Sequence, residues 1–193
     1  LDEALAVFAA LFPGGPATVE GRFHRVRGAC NRPPARQSPR PPVFVGGKGD
    51  RLLELVARWA DGWNTCWVWT PAAYRERVEA LERACEAAGR DPASVHRSLG
   101  LYTLVGEDHA DLERRFERMR SLAPAGMLAG TSLAEWREGR LVGTVDEVRE
   151  QVAVWEAAGV AELICCVGPL PFSLSAADDL EAAAAGLYAP GAG

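Results

Sequence analysis

The residues best suited to ligand chemistry in this sequence form a glycine-rich turn, Gly46-Gly47-Lys48-Gly49-Asp50, between a predicted strand and a predicted helix. Glycines lack a Cβ, so their N–H groups can approach a ligand closely, and the positive end of the following helix favours an anion. Lys48 is the only lysine in the chain, which favours a phosphate site. The spacing matches neither a P-loop nor the GxGxxG fingerprint, and the alternative is a plain turn that uses glycine for its dihedral angles.

A second group of polar side chains lies in the next predicted strand. Asn64 and Thr65 stand between Trp63, Trp67 and Trp69. In a parallel βα fold, ligands bind at the carboxyl ends of the strands, where these two side chains could hydrogen-bond a flat cofactor. The alternative is an aromatic core cluster with two satisfied polar residues. We favour core packing for the tryptophans and ligand binding for Asn64.

Histidines and cysteines give no support for nucleophilic or metal chemistry. His24, His96 and His109 have no Ser, Cys or carboxylate partner at a recognisable spacing, which predicts solvated or capping side chains. The five cysteines form no CxxC pair and no zinc-ligand spacing, and neighbours such as Cys165 and Cys166 point to opposite faces of a strand. We therefore expect no metal, packing thiols and a reducing compartment.

Alternating strands and helices indicate an α/β fold. The patterns predict a helix over 1–12, a hairpin within 19–26, a proline-rich connector over 30–42, strands at 43–45, 63–67, 98–105 and 162–167, and helices over 50–60, 71–88, 110–121 and 145–158. The strand at 43–45 is expected to be buried on both faces, and 122–143 to be loop. Such an alternation fits a doubly wound open sheet or part of a (β/α) TIM-type barrel. Because a full barrel takes about 250 residues, four strands correspond to half of one.

Composition and charge limit the remaining classes. The chain has 193 residues, of which 48% are hydrophobic and 24% charged, so we treat 1–193 as one globular domain. A net charge of −5 without a dense basic block argues against nucleic-acid binding. No apolar run reaches the roughly 20 residues of a membrane span, and no leader pattern opens the chain, so we expect a cytoplasmic protein. The first helix lacks an initiator Met and a capping residue, which suggests that the chain begins inside a longer protein.

Several segments in a fixed order resemble the luciferase-like monooxygenase superfamily, and most closely its deazaflavin-dependent branch. These segments are 20–26 (EGRFHRV), 33–37 (PPARQ), 41–47 (PPVFVGG), 57–64 (ARWADGWN), 143–148 (GTVDEV) and 157–163 (AAGVAEL). Each motif alone is moderately specific, but their common order and spacing over nearly the whole chain make the resemblance strong.

The resemblance implies an eight-stranded βα barrel of which 43–193 is the last four βα units, preceded by the helix 1–12 and by a hairpin and connector over 13–42. It also implies the deazaflavin coenzyme F-420, with FMN as the alternative, at the carboxyl ends of the strands. By similarity, Gly46 and Gly47 meet this cofactor after barrel strand five, and Asn64, Thr65 or Cys66 meet it at strand six. Lys48 is added to this set from the turn argument alone.

The implied function is that of a flavin- or deazaflavin-dependent oxidoreductase or monooxygenase that acts on a small molecule by hydride transfer at the cofactor ring. Two alternatives stay open: a non-catalytic flavin-binding or assembly-forming truncated barrel, and an open α/β sheet that binds a sugar phosphate. Barrel strands one to four, which carry the family's usual catalytic polar residues, have no counterpart in this chain, so no catalytic residue is named. Open sheet edges predict a homo-oligomer or a partner half, and the loops 122–142 and 168–172 are expected to select the substrate.

Overall fold

A computed structural model describes residues 1–167 and 177–188, which form an α/β structure. Its strands are β1 (Ala17–Glu20), β2 (Arg25–Ala29), β3 (Phe44–Gly46), β4 (Gly62–Trp67), β5 (His96–Gly106), β6 (Leu141–Thr144) and β7 (Glu162–Val167). Its helices are α1 (Asp2–Leu11), α2 (Asp50–Trp59), α3 (Pro71–Ala87), α4 (His109–Leu122), α5 (Leu133–Trp136), α6 (Val145–Ala157) and α7 (Ala177–Tyr188), with a 3-10 turn at Pro92–Ser94. The predicted substrate loop 168–172 lies outside the described residues.

The chain groups into two compact units, which are described separately. The first comprises residues 1–63 and 79–96, and the second comprises residues 64–78 and 97–193. The boundaries fall inside β4, α3 and β5.

In the first unit, α1 holds the tip of the β1–β2 hairpin. The two strands pair antiparallel, with Val19 opposite Val26. The carboxylate of Glu3, in the first turn of α1, accepts hydrogen bonds from the backbone N–H groups of Arg22, Phe23 and His24 at 2.9, 2.7 and 2.9 Å. The predicted first helix and hairpin are thereby confirmed.

Strand β3 is less buried than its apolar sequence predicts. Val45 is 5% exposed, whereas Phe44 is 46% exposed. The Phe44 ring lies against Gly62 and meets the ring of His96 edge-on at 5.7 Å. The prediction of burial on both faces was therefore wrong for the side that carries Phe44. Strand β4 begins at Gly62, one residue before the predicted start of the strand at 63–67.

Asp61 ties the proline-rich connector to the β3–β4 region. Its carboxylate forms a bidentate ion pair with Arg40, in which Arg40 Nη2 donates to Asp61 Oδ1 at 3.0 Å. The Val43 N–H donates to Asp61 Oδ2 at 2.6 Å. Burial raises the pKa of this carboxyl, but the hydrogen bonds from Arg40 and Val43 and the nearby positive charges outweigh that effect, so the pKa lies below its ordinary value.

These contacts make the stability of the first unit depend on pH. A carboxyl whose pKa is lowered by folding stabilises the folded state above its unfolded pKa, and this contribution is lost as the pH falls through the folded pKa. The Asp61 side chain is 40% exposed, so after solvent screening we expect Asp61→Asn to cost about 1 kcal/mol at pH 7. Urea unfolding at pH 7 and below pH ~4 should show the difference between variant and wild type shrinking in acid. An equal difference at both pH values would contradict this account.

The carboxyl end of α2 is capped by one arginine. Arg90 Nη1 donates to the backbone carbonyl of Ala60 at 2.5 Å and to those of Val56 and Ala57 at 3.3 Å. The end of a helix leaves its last carbonyls, such as those of Ala57 and Ala60, without intrahelical partners, whereas the Val56 carbonyl also accepts from the Ala60 N–H at 3.0 Å. Leu53, Val56 and Ala57 form the buried face of the same helix.

In the second unit, β5 is the central strand of a parallel arrangement. Residues 64–67 of β4 lie beside it. It pairs in parallel with β7 from Ser98 opposite Glu162 to Thr103 opposite Val167, and its last residues pair in parallel with β6, with Thr103 opposite Leu141. The predicted parallel α/β class is confirmed.

The stretch 122–143 contains more structure than predicted. It holds the short helix α5, which begins with a capping box between Ser132 and Glu135, and the strand β6. Trp136 and Val142 pack into a core cluster whose other buried members are Leu104, Leu112, Phe116 and Met119. Five strands therefore follow position 43 within the described residues, and the predicted count of four was wrong.

Side-chain caps fix the starts of the longer helices. The Thr70 hydroxyl accepts from the Ala73 N–H at 3.2 Å, and the Asp108 carboxylate accepts from the Asp111 N–H at 2.7 Å. Thr144 and Glu147 form a capping box at the start of α6. These caps confirm three helix starts that were predicted from the sequence.

Candidate functional site

In the first unit, the glycine turn begins where β3 ends. Gly47 has φ +144°, and a Cβ built on it would lie 2.8 Å from Leu52 Cδ1, so larger residues are disfavoured there. The Trp63 indole Nε1–H donates to the Gly47 carbonyl at 2.8 Å. This bond fixes the direction of the turn and directs the Gly47 carbonyl towards Trp63.

Gly49 is the N-cap of α2, and it leaves the start of this helix open. Its backbone is extended (φ −80°, ψ 149°), and no atom lies within 4 Å of the position that a Cβ would take. Its carbonyl accepts from the N–H groups of Leu52 and Leu53 at 2.9 and 3.1 Å. Because glycine has no side chain to cap the first-turn N–H groups, this helix end suits an external anion.

Two opposite charges flank Gly49. Lys48 and Asp50 are both exposed, and each makes further interactions. A ligand at the turn would therefore meet backbone donors and one cation beside one carboxylate. The backbone geometry, more than net charge, makes the turn suitable for phosphate.

In the second unit, Asn64 and Cys66 lie on one face of β4. Asn64 Nδ2 donates to Ser98 Oγ at 2.8 Å. A Cβ built on Gly100 would lie 3.2 Å from Cys66 Cβ and 3.9 Å from Cys166 Sγ. Asn64, Cys66, Ser98 and Gly100 therefore share one surface, which carries small polar groups, and Glu162 of β7 stands opposite Ser98 at the edge of that surface.

Thr65 belongs to the opposite face of β4. It is 2% exposed, and within the described residues its hydroxyl oxygen has no hydrogen-bond partner. Alternation along a strand separates it from Asn64 and Cys66. A cofactor that touches Asn64 and Cys66 on one face of β4 would therefore not touch the Thr65 side chain, which lies on the other face.

The thiols near this surface are held in their neutral form. Burial raises the pKa of Cys166, and the neighbouring Cys165 and Cys66 raise it further. Burial also raises the pKa of Cys165 and outweighs its hydrogen bond with Thr103. Since the thiolate is the reactive species, these pKa shifts favour the packing role that the sequence predicted for Cys165 and Cys166.

Core packing was predicted for Trp63, Trp67 and Trp69. It is confirmed for Trp63 and Trp69, which are 0% and 7% exposed, but it was wrong for Trp67, which is 41% exposed at the carboxyl end of β4. Trp67 has φ +88°, and its ring lies 5.4 Å from that of Tyr102 on β5. The Arg140 guanidinium lies 5.8 Å from the Tyr102 ring centre and 5.2 Å from that of Trp136. Burial lowers the pKa of Arg140. Nothing in the sequence signals a left-handed backbone at a tryptophan, although the tryptophan-rich composition of the segment was a hint.

The three histidines are exposed, as predicted for solvated residues. Within residues 1–167 and 177–188, no cluster of His, Cys, Asp or Glu has an arrangement that could hold a metal ion. In the same part of the chain, every helix is too short or too polar to cross a bilayer.

A family model described as luciferase-like monooxygenase matches residues 1–162. The chain belongs to this family. The match confirms the family predicted from the sequence, and with it the relation of this chain to oxidoreductases and monooxygenases. It includes the glycine turn and all of β4.

Known relatives of this luciferase-like chain are longer than the chain itself. A phthiodiolone/phenolphthiodiolone dimycocerosates ketoreductase of Mycobacterium kansasii is 29% identical over 135 residues, which cover 69% of this chain and 37% of that protein. The corresponding ketoreductase of Mycobacterium bovis is 25% identical, over 88% of this chain and 55% of its own. The chain thus spans about half the length of these curated relatives or less.

The fold of this luciferase-like chain recurs in solved structures. Monooxygenase RslO1 from Streptomyces bottropensis has a TM-score of 0.70 at 22% identity, over 96% of this chain and 59% of its own. The coenzyme F420-dependent tetrahydromethanopterin reductase from Methanopyrus kandleri has a TM-score of 0.69 at 16% identity, over 87% and 58%. These matches confirm the predicted fold class, in which the chain corresponds to part of a TIM-type barrel.

Proposed function

We propose that the protein is a deazaflavin-dependent oxidoreductase of the luciferase-like family, which binds F-420, or alternatively FMN, and transfers hydride between the cofactor ring and a small molecule in the cytoplasm. The observation that carries the proposal is the open amide end of α2 behind the Gly46–Gly49 turn. A helix start without a side-chain cap, next to glycine backbone, suits the phosphate that both cofactors carry. The structural neighbour from Methanopyrus kandleri is a coenzyme F420-dependent reductase, which favours the deazaflavin.

The glycine turn would hold the phosphate end of the cofactor. Gly46, Gly47 and Gly49 allow close approach of backbone, Lys48 offers an ammonium group, and the first-turn N–H groups of α2 donate to phosphate oxygens. The bond from Trp63 to the Gly47 carbonyl keeps the turn in its conformation before the ligand arrives. Such preorganisation lowers the entropy cost of binding.

The face of β4 and β5 that carries Asn64 would receive the cofactor ring. Asn64 is oriented by Ser98 and offers a carbonyl oxygen to a ring N–H. Cys66 contributes a partly buried thiol, and Thr65 supports this strand from its other side. The bound ring supplies the hydride chemistry, while these residues bind, orient it and keep water away.

A binding titration tests the proposal. F-420 and FMN, added separately to the purified protein, should each quench tryptophan fluorescence in a saturable manner with one ligand per chain, and F-420 should bind more tightly. Riboflavin, which lacks the phosphate, should bind much more weakly than FMN. Failure of both phosphorylated cofactors to bind would refute the proposal.

The second candidate function is a non-catalytic assembly that binds a flavin. It is favoured by Ile164, an apolar residue of β7 that is 43% exposed and thus available for burial against another chain. Native mass spectrometry distinguishes the two functions. A stable homodimer of this chain that binds flavin without turning over a substrate favours the assembly, whereas turnover favours the enzyme.

A further inference from the structure

We propose that Trp67 and Tyr102 form an aromatic wall for a planar, uncharged ring of the substrate, and that Trp67 determines specificity for such a ring. The inference builds on the proposed function because it places the substrate next to the cofactor. Its support lies in the backbone of Trp67, in the two ring positions and in the lining of the surface.

Regular alternation would place Trp67 on the buried side of β4 with Thr65. Instead, the Trp67 ring lies beside Tyr102 at 5.4 Å and an interplanar angle of 34°. Tyr102 follows Gly100 by two residues on β5, so both belong to one face, and Gly100 lies against Cys66. Consecutive residues Cys66 and Trp67 therefore present their side chains to the same surface.

The left-handed backbone of Trp67 produces this arrangement. A φ of +88° is unfavourable for a bulky side chain and persists only when the surroundings fix it. Here the following segment is fixed by a hydrogen bond from the Trp69 N–H to the Gly139 carbonyl at 3.0 Å. A glycine is also required at 139, which has φ +67° and would place a Cβ 2.6 Å from Val68 Cγ1. Such a strained residue at the end of a strand indicates a functional constraint on the position of the indole.

The wall presents accessible aromatic surface and few charges. Trp67 is 41% exposed and Val68 is 45% exposed. The Arg140 guanidinium, which lies near Tyr102, donates to the carbonyls of Trp136 and Glu138 at 2.6 and 3.0 Å. Cys66 and Cys166 add thiol groups near Gly100 on this face, whereas Glu162 stands opposite Ser98, at the other end of the paired strands. An uncharged planar ring satisfies such a surface better than a charged or saturated one.

Position along the strand assigns the wall to the substrate rather than to the cofactor. The proposed cofactor contacts are Asn64 and Cys66, within β4. A strand advances about 3.3 Å per residue, and stacked carbon atoms lie about 3.5 Å apart, so Trp67 and Val68 stand about one ring thickness or more beyond Cys66. A ring that touches them lies in the layer above the cofactor.

The experiment measures binding of a planar and a non-planar probe. Menadione, a planar uncharged bicycle, and camphor, an uncharged molecule of similar size that is not planar, are offered to the wild-type protein in equilibrium dialysis without cofactor. The variants are Trp67→Leu, which removes the aromatic face, Trp67→Phe, which keeps one, and Tyr102→Leu. Phe23→Leu is the matched control, since Phe23 is a 75% exposed aromatic residue on the hairpin.

We expect menadione to bind the wild type more tightly than camphor, and Trp67→Leu to weaken menadione binding about tenfold or more. Trp67→Phe should retain most of the binding, Tyr102→Leu should lose part of it, and Phe23→Leu should not change it. Trp67→Leu keeps a non-glycine residue at the strained φ. If this variant does not fold, Trp67→Gly is used in its place, because glycine tolerates this φ. Titrations with F-420 and FMN run in parallel and should give the same affinity in all variants.

Each other outcome has a defined meaning. Absence of menadione binding to the wild type, or equal binding by wild type and Trp67→Leu, overturns the wall. Loss of F-420 or FMN affinity in Trp67→Leu without loss of menadione overturns its assignment to the substrate. Failure of both cofactors to bind the wild type, with menadione binding still dependent on Trp67, refutes the proposed function and supports the wall.

Discussion

Gly49→Asp is expected to weaken binding of F-420 and FMN about 100-fold, which corresponds to about 2.7 kcal/mol, without destabilising the protein. The extended backbone at Gly49 accepts any residue, and the space around its Cβ position is open. An aspartate there is a favourable N-cap, so its carboxylate would accept the first-turn N–H groups of α2. Those donors would then be occupied, and a negative charge would stand where the phosphate binds.

Two comparisons separate this effect from a general disturbance of the turn. Gly49→Asn supplies a cap without a charge and should cause a smaller loss than Gly49→Asp. Riboflavin has no phosphate, so its weak binding should be the same in all three proteins. An equal loss of riboflavin and FMN binding, or unchanged FMN binding in Gly49→Asp, would show that the phosphate does not lie at this helix end. Isothermal titration calorimetry measures the binding affinities, and thermal unfolding of the same samples measures the stability of each variant.

Asp179→Ala is expected to lower the free energy of unfolding by about 2 kcal/mol, because it removes the buried carboxylate that joins Arg115 and Arg118, while Arg115 keeps Asp111 and Arg118 keeps Asp178 as partners. Asp179, in the first turn of α7, is 3% exposed. Its Oδ1 accepts from Arg115 Nη1 at 3.0 Å and from Arg118 Nη2 at 2.7 Å, both on α4. Arg115 also donates to Asp111 at 2.7 Å. This hydrogen bond, together with the other bonds to Asp111, outweighs the burial of the Asp111 carboxyl and lowers its pKa.

Asp178→Ala is the matched control for this network. The Asp178 carboxylate also pairs with Arg118, at 3.2 Å, but the Asp178 side chain is 76% exposed. Exposed ion pairs contribute between about 0 and 1 kcal/mol, so the control should be nearly neutral. Urea unfolding of both variants measures the two free energies, and limited proteolysis reports whether α7 becomes accessible. Similar losses in the two variants would contradict a role for burial.

Local signals made much of the fold predictable. The Thr144 and Glu147 capping box, the Asp108 cap and the Thr70-Pro71 pair each depend on residues within one helical turn, and sequence shows them directly. The strand β6 escaped prediction because it has only two successive apolar residues before Gly143, whereas β3 was visible as a run of three apolar residues. It is a strand because Leu141 and its neighbours find backbone partners in the last residues of β5, far away in sequence.

The candidate site was predictable in part. Glycines between a strand and a helix indicate an open helix start, and the structure has one at Gly49. Whether Asn64, Thr65 and Cys66 share a surface depends on strand alternation, which separates Thr65 from the other two. The turned backbone of Trp67 reverses that alternation at the next residue, and it depends on contacts with the loop around Gly139, which no pattern within β4 reveals.

The bonds from Arg90 have a consequence for the opposite end of α2. One guanidinium donates to the carbonyls of Val56, Ala57 and Ala60 at the carboxyl end of this helix, whereas Gly49 has no side chain that could cap the amide end. The carboxyl end of the helix therefore already holds a cation from the chain itself, and the proposed anion site lies at the other end, where no side chain competes from the N-cap position.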